Sequence, residues 1–98
     1  MLSFGDPAPF APKIKSSGAR LICQVQDEAM AQQALDAGAD ILVAQGTEAG
    51  GHGASRTTVD LVPAIVDLAA GRVPVVAAGG IADGRGLAAM MMLGASGV

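Results

Sequence analysis

The chain has 98 residues, 51% of them hydrophobic but only 2% aromatic, and its 6 Lys and Arg stand against 9 Asp and Glu for a net charge of -3. That length makes one small domain, which buries only about 60 to 65% of its unfolded surface, and the scattered cations exclude a phosphate-tracking nucleic-acid surface. No apolar stretch approaches the roughly 20 residues a bilayer span needs and no basic region leads into an apolar run, so no membrane partner is expected and a cytoplasmic location is read.

"MLSFG" at 1–5 is the first predicted strand, and the helix after it, about 8–17, is interrupted by Pro9 and Pro12. "RLICQV" at 20–25 is the second strand; its lone Cys23, among apolar neighbours, is expected to be a buried, reduced thiol. Asp27 caps a predicted helix over 28–37 with Met30, Ala34 and Ala37 on one face, and "ILVAQG" at 41–46 is the third strand. Asp60 caps a predicted helix over 61–70, with Pro63 in its first turn and Leu61, Ile65 and Leu68 as the buried stripe. "VPVVAAGG" at 73–80 is the fourth strand, Asp83 caps a helix over 84–93 whose "MMML" run reads as packing, and a fifth strand begins at Gly97 and Val98.

One phrase punctuates this order. "SGARLI" at 17–22, "AGADILVA" at 37–44 and "LGASGV" at 93–98, with "GRVPVV" at 71–76 as a looser copy, each place a glycine where a helix ends and an apolar strand begins. A glycine just past a helix takes the left-handed conformation that stops it, so each phrase is a helix end, a tight turn and a strand start. Two strands are continuous apolar runs, the pattern of parallel strands covered on both faces. Repeated βα units of this kind build a doubly wound sheet or a (β/α)8 barrel. A complete barrel takes about 250 residues, so the expected fold is α/β, a partial (β/α)8 TIM barrel of about four βα units with parallel strands, and residues 1–98 are expected to be a fragment of one domain.

In either architecture ligands sit at the strand C-termini, which selects the loops after Gly5, Val25, Gly46 and Gly79. "PVVAAGGIADGRG" at 74–86 runs from a strand through Gly79 and Gly80 into a capped helix, offering bare N–H groups to an anion, with phosphate the natural guest. Gly84-Arg85-Gly86-Leu87-Ala88-Ala89 also fits G-x-G-x-x-A, but that fingerprint belongs directly at a strand end and these residues lie beyond it. "GTEAGGHG" at 46–53 holds the chain's one histidine. Gly50, Gly51 and Gly53 would let the main chain approach a flat ligand, Gln45 ends the strand or begins the loop, and the His52 imidazole can exchange a proton with substrate. Glu48 is a helper to His52, a surface charge or a loop anchor; Arg56 meets an anionic substrate or faces water. A lone histidine and a single cysteine offer no usual zinc cluster, so no metal is expected.

"QGTEAGGHG" followed by "PVVAAGGIADGRGLAAMMMLGASGV" closely resembles the nitronate monooxygenases, formerly called 2-nitropropane dioxygenases, over nearly the whole chain from "LSFG" to Val98. The resemblance implies a (β/α)8 barrel with FMN at the strand C-termini. It implies His52 as the active-site histidine beside the flavin ring, Gln45, Gly46, Gly50 and Gly51 as flavin-binding positions, and Gly79 and Gly80 at the FMN phosphate. The implied reaction takes an alkyl nitronate or nitroalkane and O2 to a carbonyl compound and nitrite, with FMN carrying the redox step. Gly53 follows His52 at once, where many members have a residue between, and the family's first strands and the segment after its last strand have no counterpart. The resemblance therefore implies the C-terminal half of such an enzyme, expected to be inactive alone. Two alternatives stand beside it: an FMN-dependent enoyl-acyl-carrier-protein reductase, which shares a "GGH" loop, and an inert half-barrel whose unpaired sheet edges favour self-association.

Overall fold

The computed structural model describes residues 1–53 and 55–98. Four parallel strands form one sheet: β1 (Leu2–Ser3), β2 (Ile22–Val25), β3 (Ile41–Gln45) and β4 (Val75–Ala78), arranged in space in the order of the chain. The helices α1 (Ala11–Ser16), α2 (Glu28–Asp36), α3 (Thr58–Ala69) and α4 (Gly84–Met92) follow the strands one by one. In register, Ile22 pairs with Ile41 and Val25 with Ala44, while Leu42 pairs with Val75 and Gln45 with Ala78. The expected fifth strand begins as a bridge between Val76 and Gly97, with the Ala77 N–H donating to the Gly97 carbonyl at 2.9 Å.

Strand order separates the two candidate architectures. A doubly wound sheet reverses direction at a switch point and carries helices on both faces, whereas this sheet advances without reversal. Burial also alternates along every central strand. Cys23, Val25, Leu42, Ala44, Val75 and Ala77 are buried, and Ile22, Gln24, Ile41, Val43, Gln45, Val76 and Ala78 between them are half-buried. The arrangement is an arc of a (β/α)8 barrel, with Ala31, Ala34, Leu61, Val62, Ile65 and Ala69 of α2 and α3 closing the helix side of the core. The half-buried residues of the second face, Ile22, Ile41, Val43 and Val76 among them, lie on the side that faces the barrel axis in a (β/α)8 barrel, as expected for a partial barrel.

The turn glycines behave as read, with Gly18, Gly38, Gly71 and Gly94 all at positive φ past a helix end. Asp40, at the N-terminal end of β3, accepts the Leu21 N–H at 2.7 Å. That bond, together with Lys15 and Arg20, holds its carboxyl below the usual carboxylate range. Asp27 and Asp83 cap α2 and α4 as expected.

The start of α3 differs from the reading. Thr57 is its cap, accepting the Asp60 N–H at 3.3 Å, so the helix begins before Asp60 and Pro63 falls in the second turn. Asp60 instead receives Arg56 Nε at 2.6 Å, while Arg56 also reaches Glu28 at 2.5 Å. Arg56 therefore clips α2 to α3. Of the methionine run only Met90 is buried, and Met92 is 87% exposed. No helix is long and apolar enough to cross a membrane among the described residues.

Candidate functional site

The C-terminal ends of the strands bring four loops to one rim. After β1, the chain turns through Phe4 at φ 61 and Gly5 at φ 78. A left-handed phenylalanine costs of order 1 kcal/mol or more, and here it brings an aromatic ring up to the histidine loop. The Phe4 and His52 rings meet edge to face, with centroids 4.5 Å apart and an interplanar angle of 81°. His52 is exposed and rests on this ring, which spans from the β1 loop to the β3 loop.

Gln45 is the last residue of β3, and Gly46 follows it as a buried position. A short 3-10 turn, Thr47–Ala49, comes next and ends at Gly50. The Gly46 N–H donates to the Ala78 carbonyl at 2.9 Å, which sets the β3 loop directly beside the β4 loop. Thr58, buried at the first position of α3, joins the two: its Oγ1 lies 2.9 Å from both the Gly79 carbonyl and Glu48 Oε2. The Glu48 carboxylate also accepts the Thr58 N–H at 2.8 and 3.0 Å. Its own N–H, then Thr58, hold the Glu48 carboxyl below its ordinary value. Among the roles left open by the sequence, Glu48 is the loop anchor, neutralising an unpaired donor and the positive end of α3.

The glycines of the two loops serve different needs. A Cβ on Gly46 would strike the backbone and side chain of Thr58, and one on Gly79 (φ 113) would lie 2.8 Å from Thr58 Oγ1. A Cβ on Gly80 would meet the Glu48 side chain at 3.0 Å. Protein packs against all three positions, and Gly79 and Gly80 (φ 69) also hold a positive φ that side chains rarely adopt. Among the described residues a Cβ on Gly50 (φ 73) or Gly51 (φ 70) would meet nothing within 4 Å, so backbone conformation selects glycine there. Gly84 and Gly86 begin α4, and a Cβ on Gly86 would press on Ile81 at 3.0 Å, so this glycine too is small for helix packing.

The α4 start has been partly used by the chain itself. Asp83 accepts the Arg85 N–H at 2.9 Å and the Gly86 N–H at 3.4 Å. Among the described residues, the N–H groups of Gly80, Ile81 and Ala82 make no hydrogen bond within the chain. An anion at this loop would therefore be met by main-chain donors ahead of the helix rather than by its first turn.

Two residues of the rim escaped the sequence reading besides Thr58. Phe4 stood out only as one of two rings, and its contact to His52 depends on loops far apart in sequence. Gln26, just past β2, is 4% exposed, and its Nε2 is a buried nitrogen with no partner among the described residues. A glutamine set between an apolar strand and a capping aspartate is the signal that could have found it. Cys23 is buried as expected, and burial pushes its thiol up, away from reactivity. A cavity of about 160 Å³ is lined by Phe4, Gly5, Phe10, Cys23, Val25 and Met30, and Phe4 also touches His52.

A family model described as nitronate monooxygenase matches residues 1–98. A probable nitronate monooxygenase of Staphylococcus aureus (strain Newman) is 43% identical over 109 residues, covering 98% of this chain and 30% of that protein. The Mycobacterium tuberculosis (3aS,4S,5R,7aS)-5-hydroxy-7a-methyl-1-oxo-octahydro-1H-indene-4-carboxyl-CoA dehydrogenase is 42% identical over 87 residues, covering 88% of this chain and 24% of that protein. Among solved structures, FabK from Thermotoga maritima superposes with a TM-score of 0.91 at 41% identity, covering 98% of this chain and 30% of that one. The chain thus spans under a third of the length of the relatives it matches.

Proposed function

The chain belongs to the nitronate monooxygenase family, and from that premise we propose that residues 1–98 form the flavin-facing rim of a single FMN-binding barrel domain that oxidises alkyl nitronates. The observation that carries this reading is the meeting of the Gly46–Gly53 and Gly79–Asp83 loops through Thr58 at the strand C-termini, with His52 of the first loop against the Phe4 ring. FMN, when bound, supplies electron transfer from the nitronate and the reaction of the reduced ring with O2, giving a carbonyl compound and nitrite. The residues present fit such a group. Gly50 and Gly51 leave open backbone beside His52, the buried Gln26 amide lacks a partner, and the Gly80–Ala82 donors are free among the described residues.

Gln45 and Gly46 lie at the ring side of the rim, and Gly50 and Gly51 allow close approach of the main chain. Gly79 shapes the β4 turn, and Gly80 with the donors after it faces the phosphate. His52, steadied by Phe4, accepts a proton at a ring nitrogen from a neutral nitroalkane. The flavin chemistry of the family supports an oxidoreductase; the nitronate and nitroalkane substrates, and O2 as oxidant, belong to this proposal.

A second reading draws on the carboxyl-CoA dehydrogenase named among the relatives. It supports a thioester substrate, and an FMN-dependent enoyl-acyl-carrier-protein reductase consuming NAD(P)H is its concrete form. Nitronate-dependent O2 uptake, compared with crotonyl-thioester-dependent NADH oxidation, both in the full-length enzyme, separates the two: the first activity without the second is expected. In the full-length enzyme His52→Asn is expected to lower turnover of neutral nitroalkanes about 100-fold, the lower end of what general-base catalysis contributes, with a smaller loss on pre-ionised nitronates. Equal loss on both overturns the proton-acceptor role.

A further inference from the structure

Gln26 is the buried side chain that the fold itself leaves unexplained. It follows β2 immediately and precedes the α2 cap Asp27, so its backbone is held by a strand on one side and a helix start on the other. Its side chain is 4% exposed, yet Nε2 has no hydrogen-bond partner among the described residues. An orphaned amide donor in such a place destabilises the folded chain, because water has been removed and nothing has replaced it.

The surroundings show where a partner would sit. A Cβ placed on Gly53 would lie 3.8 Å from Gln26 Nε2 and 3.9 Å from Gln45 Nε2. Two amide nitrogens from the ends of neighbouring strands therefore approach one point beneath the histidine loop, and Gly53 puts no side chain between them. Both groups are neutral donors of modest strength. They suit a neutral carbonyl oxygen on a flat ring better than a phosphate, which calls for cations or a cluster of main-chain N–H groups.

We infer that Gln26 is a ligand-binding residue that, with Gln45, donates a hydrogen bond to a carbonyl oxygen of the flavin's pyrimidine ring at this rim; the inference rests on the FMN reading above. The chain carries the unpaired amide at a cost to its ligand-free stability, and the bound ring relieves that cost. Two consequences of opposite sign follow, and a residue that merely packed would not produce both. Removing the polar atoms should stabilise the ligand-free protein and weaken its hold on FMN.

Gln26→Met keeps the length of the side chain without donor or acceptor. The test compares it with the unaltered protein, both as the full-length enzyme, by thermal melting without ligand and by FMN titration followed in flavin fluorescence. A higher melting temperature together with an FMN Kd raised about tenfold, the size of one hydrogen bond, supports the inference. A lower melting temperature overturns it, since the amide then already has a partner in the folded chain. An unchanged Kd in the variant, where the unaltered protein binds FMN, overturns it while leaving the FMN reading intact. Absence of FMN binding by the unaltered protein overturns the FMN reading and this inference with it.

Discussion

The loop after β3 (residues 46–57) and the shorter loop after β4 (residues 79–83) are both rich in glycine, yet these glycines answer to different forces. Gly46, Gly79 and Gly80 are crowded by Thr58 and Glu48, so protein atoms fill the space a side chain would need. Among the described residues Gly50 and Gly51 have open space around them at positive φ, where backbone conformation demands glycine. A glycine-rich motif can thus mix positions that build the scaffold with positions that leave room for a ligand, and the two kinds should respond differently to the same substitution.

Gly46→Ala is the sharpest way to break this comparison. The added methyl would lie 2.5 Å from the Thr58 Cα with no flexible group to yield. Overpacking against backbone should cost about 3 kcal/mol or more, seen as loss of a cooperative thermal transition. If the variant melts like the unaltered chain, the division of the glycines is wrong.

Gly50→Ala should do less. With no atom to strike, it pays only for a left-handed alanine, about 1 kcal/mol, and denaturant titration should show a lower midpoint with an unchanged slope. A loss as large as that of Gly46→Ala would mean that the loop is packed against something unseen at this position.

The smallest expected effect concerns the Glu48 anchor. Its carboxyl is depressed below the ordinary value of 4.5 by its own N–H and by Thr58. A depressed carboxyl stabilises the folded state fully above its unfolded value and loses that contribution as pH falls through the folded value. Melting temperatures measured from pH 7 down to about pH 3 should therefore fall less steeply for Glu48→Gln than for the unaltered chain. Identical slopes would show that Glu48 is not what ties α3 to the two loops.

Much of the fold was legible because its signals are local. A glycine past a helix end takes left-handed φ wherever it occurs, and Gly18, Gly38, Gly71 and Gly94 all do. Asp27 and Asp83 cap helices through bonds to residues two or three positions away, so their role needs no tertiary information. The misplaced start of α3 is instructive. Thr57 and Asp60 are both plausible caps, and the Arg56 ion pairs that draw Asp60 away join it to Glu28 on α2, a contact distant in sequence. Likewise, continuous apolar strands cannot tell a face covered by helices from a face turned to a barrel axis, since both favour the same side chains.

The sequence by itself determined the alternation of strands and helices, the turns between them and the chemistry available near the histidine, because these depend on backbone preference, capping and side-chain type over a few residues. Only the tertiary structure decided which glycines are crowded, that Glu48 serves as an anchor, that Phe4 supports His52, and that Gln26 is buried without a partner. Each of those depends on distances between residues on different loops, which parallel strand pairing sets and no short stretch of chain contains.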